Sequence, residues 1–80
     1  MDYIPEGVCS QLIHVEVEDN IIKDVEFVGG CDGNTQGIAR LVKGMDVDEA
    51  ISRLEGIRCG FKETSCPDQL ARALRAETGK

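Results

Sequence analysis

The sequence predicts an α+β fold: a small antiparallel β-hairpin or sheet with three helices packed on one face. Three observations predict it. Residues 12–28 alternate apolar and polar side chains on either side of an Asp19-Asn20 turn signal. Three later stretches change to helical spacing, each with a recognisable start or stop. Strands come first and helices follow, in an 80-residue chain with no internal repeat and no linker, so a single domain over residues 1–80 is expected.

In the first strand Ile13, Val15 and Val17 share one side, and His14, Glu16 and Glu18 the other. In the second, Ile21, Val25 and Phe27 alternate with Asp24 and Glu26, and Lys23 breaks the pattern. Gln11 and the residues before it could lengthen the first strand. Asn34 is the expected N-cap of the first helix, with Ile38, Leu41 and Val42 as its apolar stripe and Gly44 at its end. Asp46 followed by Glu49 has the form of a capping box for the second helix, whose apolar positions are Val47, Ala50, Ile51 and Leu54 and whose stop is Gly56. Pro67 suits the first position of the third helix, which makes Cys66 its N-cap. Leu70, Ala71 and Leu74 form its inner face, and Thr78, Gly79 and Lys80 are expected to fray.

Size and charge narrow the function. A chain this short buries only about 60–65% of the surface it exposes when unfolded, so a staple in the form of a disulfide, a metal or an oligomer is expected. The formal net charge of −6 leaves no basic stripe for nucleic acid or an anionic membrane. The first residues lack a basic start and an apolar run, and no stretch has the length of a membrane span. A cytoplasmic setting is expected, where thiols stay reduced and metal or redox chemistry is favoured over structural disulfides.

Cys9, Cys31, Cys59 and Cys66 are the candidate functional residues. Cys9 precedes the first strand, Cys31 stands in Gly29-Gly30-Cys31-Asp32-Gly33, and Cys66 opens the third helix. Cysteines at loops and helix starts can present an exposed, stabilised thiolate. The glycines around Cys31 and beside Cys59 let backbone approach a bound ion or take up positive φ. Clustered thiolates repel one another, so such a cluster stays protonated, oxidises or holds a cation. The spacing Cys-x21-Cys-x27-Cys-x6-Cys has no tight zinc-ribbon pairs. Cys59, between Arg58 and Phe61, reads equally as packing. Asp32 is an alternative oxygen ligand, and Asp68 is assigned to the first turn of its helix. His14, the only histidine, reads as a solvated surface residue. The acidic residues of the hairpin form a solvated face without a calcium loop, and no phosphate-binding loop is present.

Thr64-Ser65-Cys66-Pro67-Asp68 spells the signature of the TSCPD domain family, which the chain resembles. The likeness extends to Gly29–Asn34, Arg58-Cys59-Gly60 and Gln69-Leu70-Ala71. TSCPD domains occur as small stand-alone proteins and as appendages of cobalamin-dependent, class II ribonucleotide reductases. The resemblance implies an association with ribonucleotide reduction or its thiol chemistry; 80 residues cannot build the reductase barrel, so an accessory role is expected and no catalytic residue is assigned. The chain is more distantly similar to the NifU-type iron–sulfur cluster scaffolds. On their pattern Cys9, Cys31 and Cys66 match the cluster cysteines. Ser10-Gln11 replaces the scaffold's Gly-Asp, Ser65 replaces a histidine, and Cys59 is extra and would complete a four-thiolate set.

Three readings follow. In the first, Cys9, Cys31, Cys59 and Cys66 hold zinc or an iron–sulfur cluster. In the second, two cysteines such as Cys59 and Cys66 cycle between dithiol and disulfide as a redox partner. In the third, the cysteines pack and the chain docks to a larger protein. The open edge of the hairpin would also permit a homodimer.

Overall fold

The computed structural model describes residues 1–8, 10–29, 32–58 and 60–80, with Asp32 described by its backbone alone. Three strands and three helices follow one another in the expected order: β1 (Asp2–Tyr3), β2 (Leu12–Glu18), β3 (Ile21–Val28), α1 (Asp32–Val42), α2 (Val47–Leu54) and α3 (Cys66–Thr78). The strands form one antiparallel sheet in the order β1-β2-β3. The predicted α+β class is borne out.

The hairpin turn is tight because Asp19 and Asn20 both take positive φ (54° and 63°), the pairing whose twist matches that of the strands. The irregularity at Lys23 has a structural cause. Glu16 pairs with Asp24 but Val17 pairs with Ile22, so Lys23 is the extra residue of a β-bulge. The bulge puts Ile22, not Ile21, on the inner face beside Val25. β1 has only two residues and no alternation to reveal it; Met1 anchors it through backbone bonds in both directions with Val15. β2 begins at Leu12, and Gln11 extends the ladder by one bond, its N–H donating to the Val28 carbonyl (2.7 Å).

The helices lie on one face of the sheet, α1 against β3 and α3 against β2, with α2 packed beside α3. Ile13, Val15, Ile22 and Val25 meet Val42, Val47, Ala50, Ile51, Leu70, Ala73 and Leu74 in the core. Three expectations need correction. α1 opens at Asp32, so Asn34 lies in its first turn and is not its cap. Leu41 is exposed, because the buried stripe runs through Thr35, Ile38, Ala39 and Val42. The C-terminus is tied down: Gly79 closes α3 in the left-handed conformation, and its N–H and that of Lys80 both donate to the Arg75 carbonyl. The Lys80 ammonium also donates to Asp48 (2.8 Å) and Asn20 (2.7 Å).

α2 starts as its sequence signals. The Asp46 carboxylate accepts from the Glu49 N–H at 3.2 Å. Only half of the capping box forms, since Glu49 turns forward to Arg53 (2.8 Å). No helix among the described residues is long and apolar enough to cross a membrane.

Candidate functional site

The start of α3 is where distant parts of the chain meet. Its N-cap is Ser65, one residue earlier than expected, and Cys66 is the first helical residue with Pro67 second. A hydroxyl oxygen accepts a backbone hydrogen bond better than a thiol does, and Ser65 Oγ takes the Asp68 N–H at 3.2 Å. The same hydroxyl donates to the Ile57 carbonyl at 2.6 Å. Ser65 thus caps α3 and fastens to it the loop that leads from α2.

Asp68 does more than complement the helix dipole. Its side chain is buried, accepts hydrogen bonds from Thr64 Oγ1 and from the Gly56 N–H (2.7 Å), and pairs with Arg72 (3.3 Å). Burial alone pushes its carboxyl up; the bonds from Thr64 and Gly56, with Arg72 beside them, outweigh that and hold it below the ordinary aspartate value. Gly56 offers its N–H there because it turns the chain at φ +88°.

Gln69 gathers a third segment. It is fully buried, donates Nε2 to Thr64 Oγ1 (2.8 Å) and accepts the Glu6 N–H at Oε1 (3.1 Å). Thr64 Oγ1 therefore donates a hydrogen bond to Asp68 while accepting one from Gln69, which fixes the hydroxyl in both roles. Gly7, at φ +70°, runs so close that a Cβ there would stand 3.1 Å from Thr64 Cγ2. Among the described residues every buried side-chain nitrogen and oxygen has a hydrogen-bond partner.

Cys66 is half-buried at the centre of this meeting point. Its Sγ lies 3.3 Å from Oγ of the buried Ser10. Ser10 is joined on one side to Cys9 and on the other to Gln11, which bonds to Val28 and packs against Gly29, two residues ahead of Cys31. Ile57, held by Ser65, is two residues ahead of Cys59. Cys9, Cys31 and Cys59 and the side chain of Asp32 lie outside the described residues. Among the described residues no three His, Cys, Asp or Glu side chains converge on a common ion position. Chemically, the described part supplies one thiol on a rigid helix start, ringed by satisfied hydrogen bonds.

His14 lies on the far side of the sheet. Its Nδ1 is 2.6 Å from Asp2 Oδ1 and its Nε2 3.6 Å from Glu16. The hydrogen bond to Asp2 raises its pKa above the ordinary 6.5. It is a partly exposed surface histidine engaged by β1. Thr64 and Gln69, which the sequence reading did not assign to the site, set its geometry. Their signal is a run of hydrogen-bonding side chains around a helix start, Thr64, Ser65, Asp68 and Gln69, denser than one cap requires.

The family model for the TSCPD domain matches residues 1–78. No curated protein and no solved structure matches the chain.

Proposed function

We propose a function for a chain that belongs to the TSCPD domain family: Cys9, Cys31, Cys59 and Cys66 form a thiolate site for zinc or an iron–sulfur cluster in a small accessory module. The 3.3 Å approach of Ser10 to Cys66 carries the reading, because Ser10 is bonded to Cys9. Ile57, two residues before Cys59, is held by Ser65 at the same helix start, and Gln11, next to Ser10, bonds to Val28, three residues before Cys31. The donor set suits the proposal, since thiolates in this number favour zinc or iron over hard oxygen-seeking cations. A bound metal would neutralise thiolates that an acidic chain otherwise repels. The hydrogen bonds of Thr64, Ser65, Asp68 and Gln69 would orient Cys66 towards it.

On the family resemblance, the setting we assign is ribonucleotide reduction in the cytoplasm, with the module serving a cobalamin-dependent reductase. Sedimentation of the chain with such a reductase tests that setting, and the absence of a complex counts against it. The metal reading is tested by purification without oxygen and elemental analysis. Stoichiometric zinc or iron, lost on substitution of Cys66 by serine in a chain that still folds, is the expected result. A metal-free wild type with a reversible disulfide would replace the reading with a redox one.

A further inference from the structure

The loop between α2 and α3 holds an aromatic side chain that faces solvent. Phe61 is fully exposed and Ile57 is 42% exposed, while the chain's other phenylalanine, Phe27, packs against the core. An aromatic side chain left wholly in water is the residue type that anchors protein interfaces. The charges around it are equally uneven. From residue 53 onward, Arg53, Arg72, Arg75 and Lys80 each pair with a carboxylate, those of Glu49, Asp68, Glu55 and Asp48. Arg58 and Lys62, the remaining two cations of that half, have no ion-pair partner among the described residues, and they flank Phe61. The loop stands apart from the acidic excess of the chain: residues 1–28 carry seven carboxylates and one lysine, and the remainder carries eight of each sign.

We infer that this loop is a docking surface for an acidic segment of a partner protein, with an apolar side chain of that segment against Phe61 and Ile57 and its carboxylates on Arg58 and Lys62. The contact is confined to the crest of the loop. The groove beneath it, about 510 Å³, is lined by Glu6 and Glu63 as well as Lys62 and Arg72, so its charges balance and Lys62 is the cation that the crest and the groove share. A crest of this size suits a transient, salt-sensitive encounter. A nucleic acid strand could also stack on Phe61, but a chain with a net charge of −6 repels a polyanion far more than a short acidic peptide. The inference does not rest on a bound metal.

The test is selection of peptides from a random display library on the full chain, its metal content measured beforehand. The expected peptides carry Asp or Glu around a bulky apolar residue. Their affinity falls about tenfold or more on Phe61→Ser and on the Arg58→Glu, Lys62→Glu double variant, and falls with added salt. Neither variant should change the melting temperature, because the side chains are exposed. A metal-free chain that selects acidic peptides upholds the inference while the metal reading fails. It is overturned by no enrichment, by peptides without acidic residues, or by binding that both variants retain. Self-association lost in Phe61→Ser, or oligonucleotide binding lost in that variant, also overturns it by naming a different occupant.

Discussion

Ser10 and Cys66, 56 residues apart in sequence, place a hydroxyl oxygen 3.3 Å from a sulfur at the start of α3. Around that contact the polar residues of Thr64–Gln69 hold two other segments of the chain: Ser65 the Ile57 carbonyl and Asp68 the adjacent Gly56 amide, and Gln69 the Glu6 amide. The family signature is in this respect a clamp built around its cysteine.

Asp68 is the most costly member of the clamp to remove. Asp68→Ala strands the Thr64 hydroxyl and the Gly56 amide, and we expect a loss of about 2–3 kcal/mol in chemical unfolding. The carboxyl is held below 3.8 in the folded chain, so the folded state binds its proton less readily than the unfolded one. Its contribution is therefore complete above the ordinary aspartate range and is lost as pH falls through the lowered value. Wild type should lose stability below about pH 4 more steeply than Asp68→Ala; parallel acid profiles would show that Asp68 is not the group responsible.

Gly7→Ala meets two obstacles, the positive φ of 70° and Thr64 Cγ2 at 3.1 Å. A loss of about 1–2 kcal/mol is expected from the backbone conformation alone. Reducing Thr64 to serine in the same chain should recover the part due to the methyl contact, as read from thermal melts of the two variants.

His14 should titrate above 6.5 by NMR, and Asp2→Asn should bring it back towards that value. Because the folded state holds the proton more tightly, the link between β1 and β2 is fully present below the ordinary histidine value. It weakens as pH rises through the raised one. Exchange of the Val15 amide, which donates to the Met1 carbonyl, should accelerate over the same interval; a rate following only the intrinsic pH dependence would contradict this.

The chain end is predicted to be ordered. The amides of Gly79 and Lys80 donate to the Arg75 carbonyl, and Arg75 itself is fixed by Glu55. Hydrogen exchange should find both amides protected relative to an unstructured peptide. Lys80→Ala should reduce that protection by removing the bond to Asp48.

The two main strands, all three helices and the inner face of α3 were legible because each is set by local period and by a cap or stop residue. Asp46 reads as a cap from four letters and is one. Ile22 is hidden by the bulge at Lys23, which shifts the period by one residue; the broken alternation marks the place but not which isoleucine turns inward. Leu41 was misplaced because three-residue spacing from Ile38 fits a helical stripe whose other members, Thr35 and Ala39, are small or polar. Cys66 reads as the cap because it directly precedes Pro67, but Ser65 offers a hydroxyl, the better acceptor, and holds that position. The clamp itself could not be read: Thr64, Asp68 and Gln69 act on Gly56 and Glu6, and only the folded topology brings those partners near. The assignment of metal ligands stands on the cysteines' positions in sequence and on the segments that flank them.

X-ray absorption at the metal edge of anaerobically purified protein is the most direct measurement of the shared thiolate site. The account predicts one site per chain with a shell of four sulfur atoms at about 2.3 Å, and no metal-edge signal from a folded Cys66→Ser. A shell of nitrogen and oxygen, or a folded wild type that retains no metal, would contradict it.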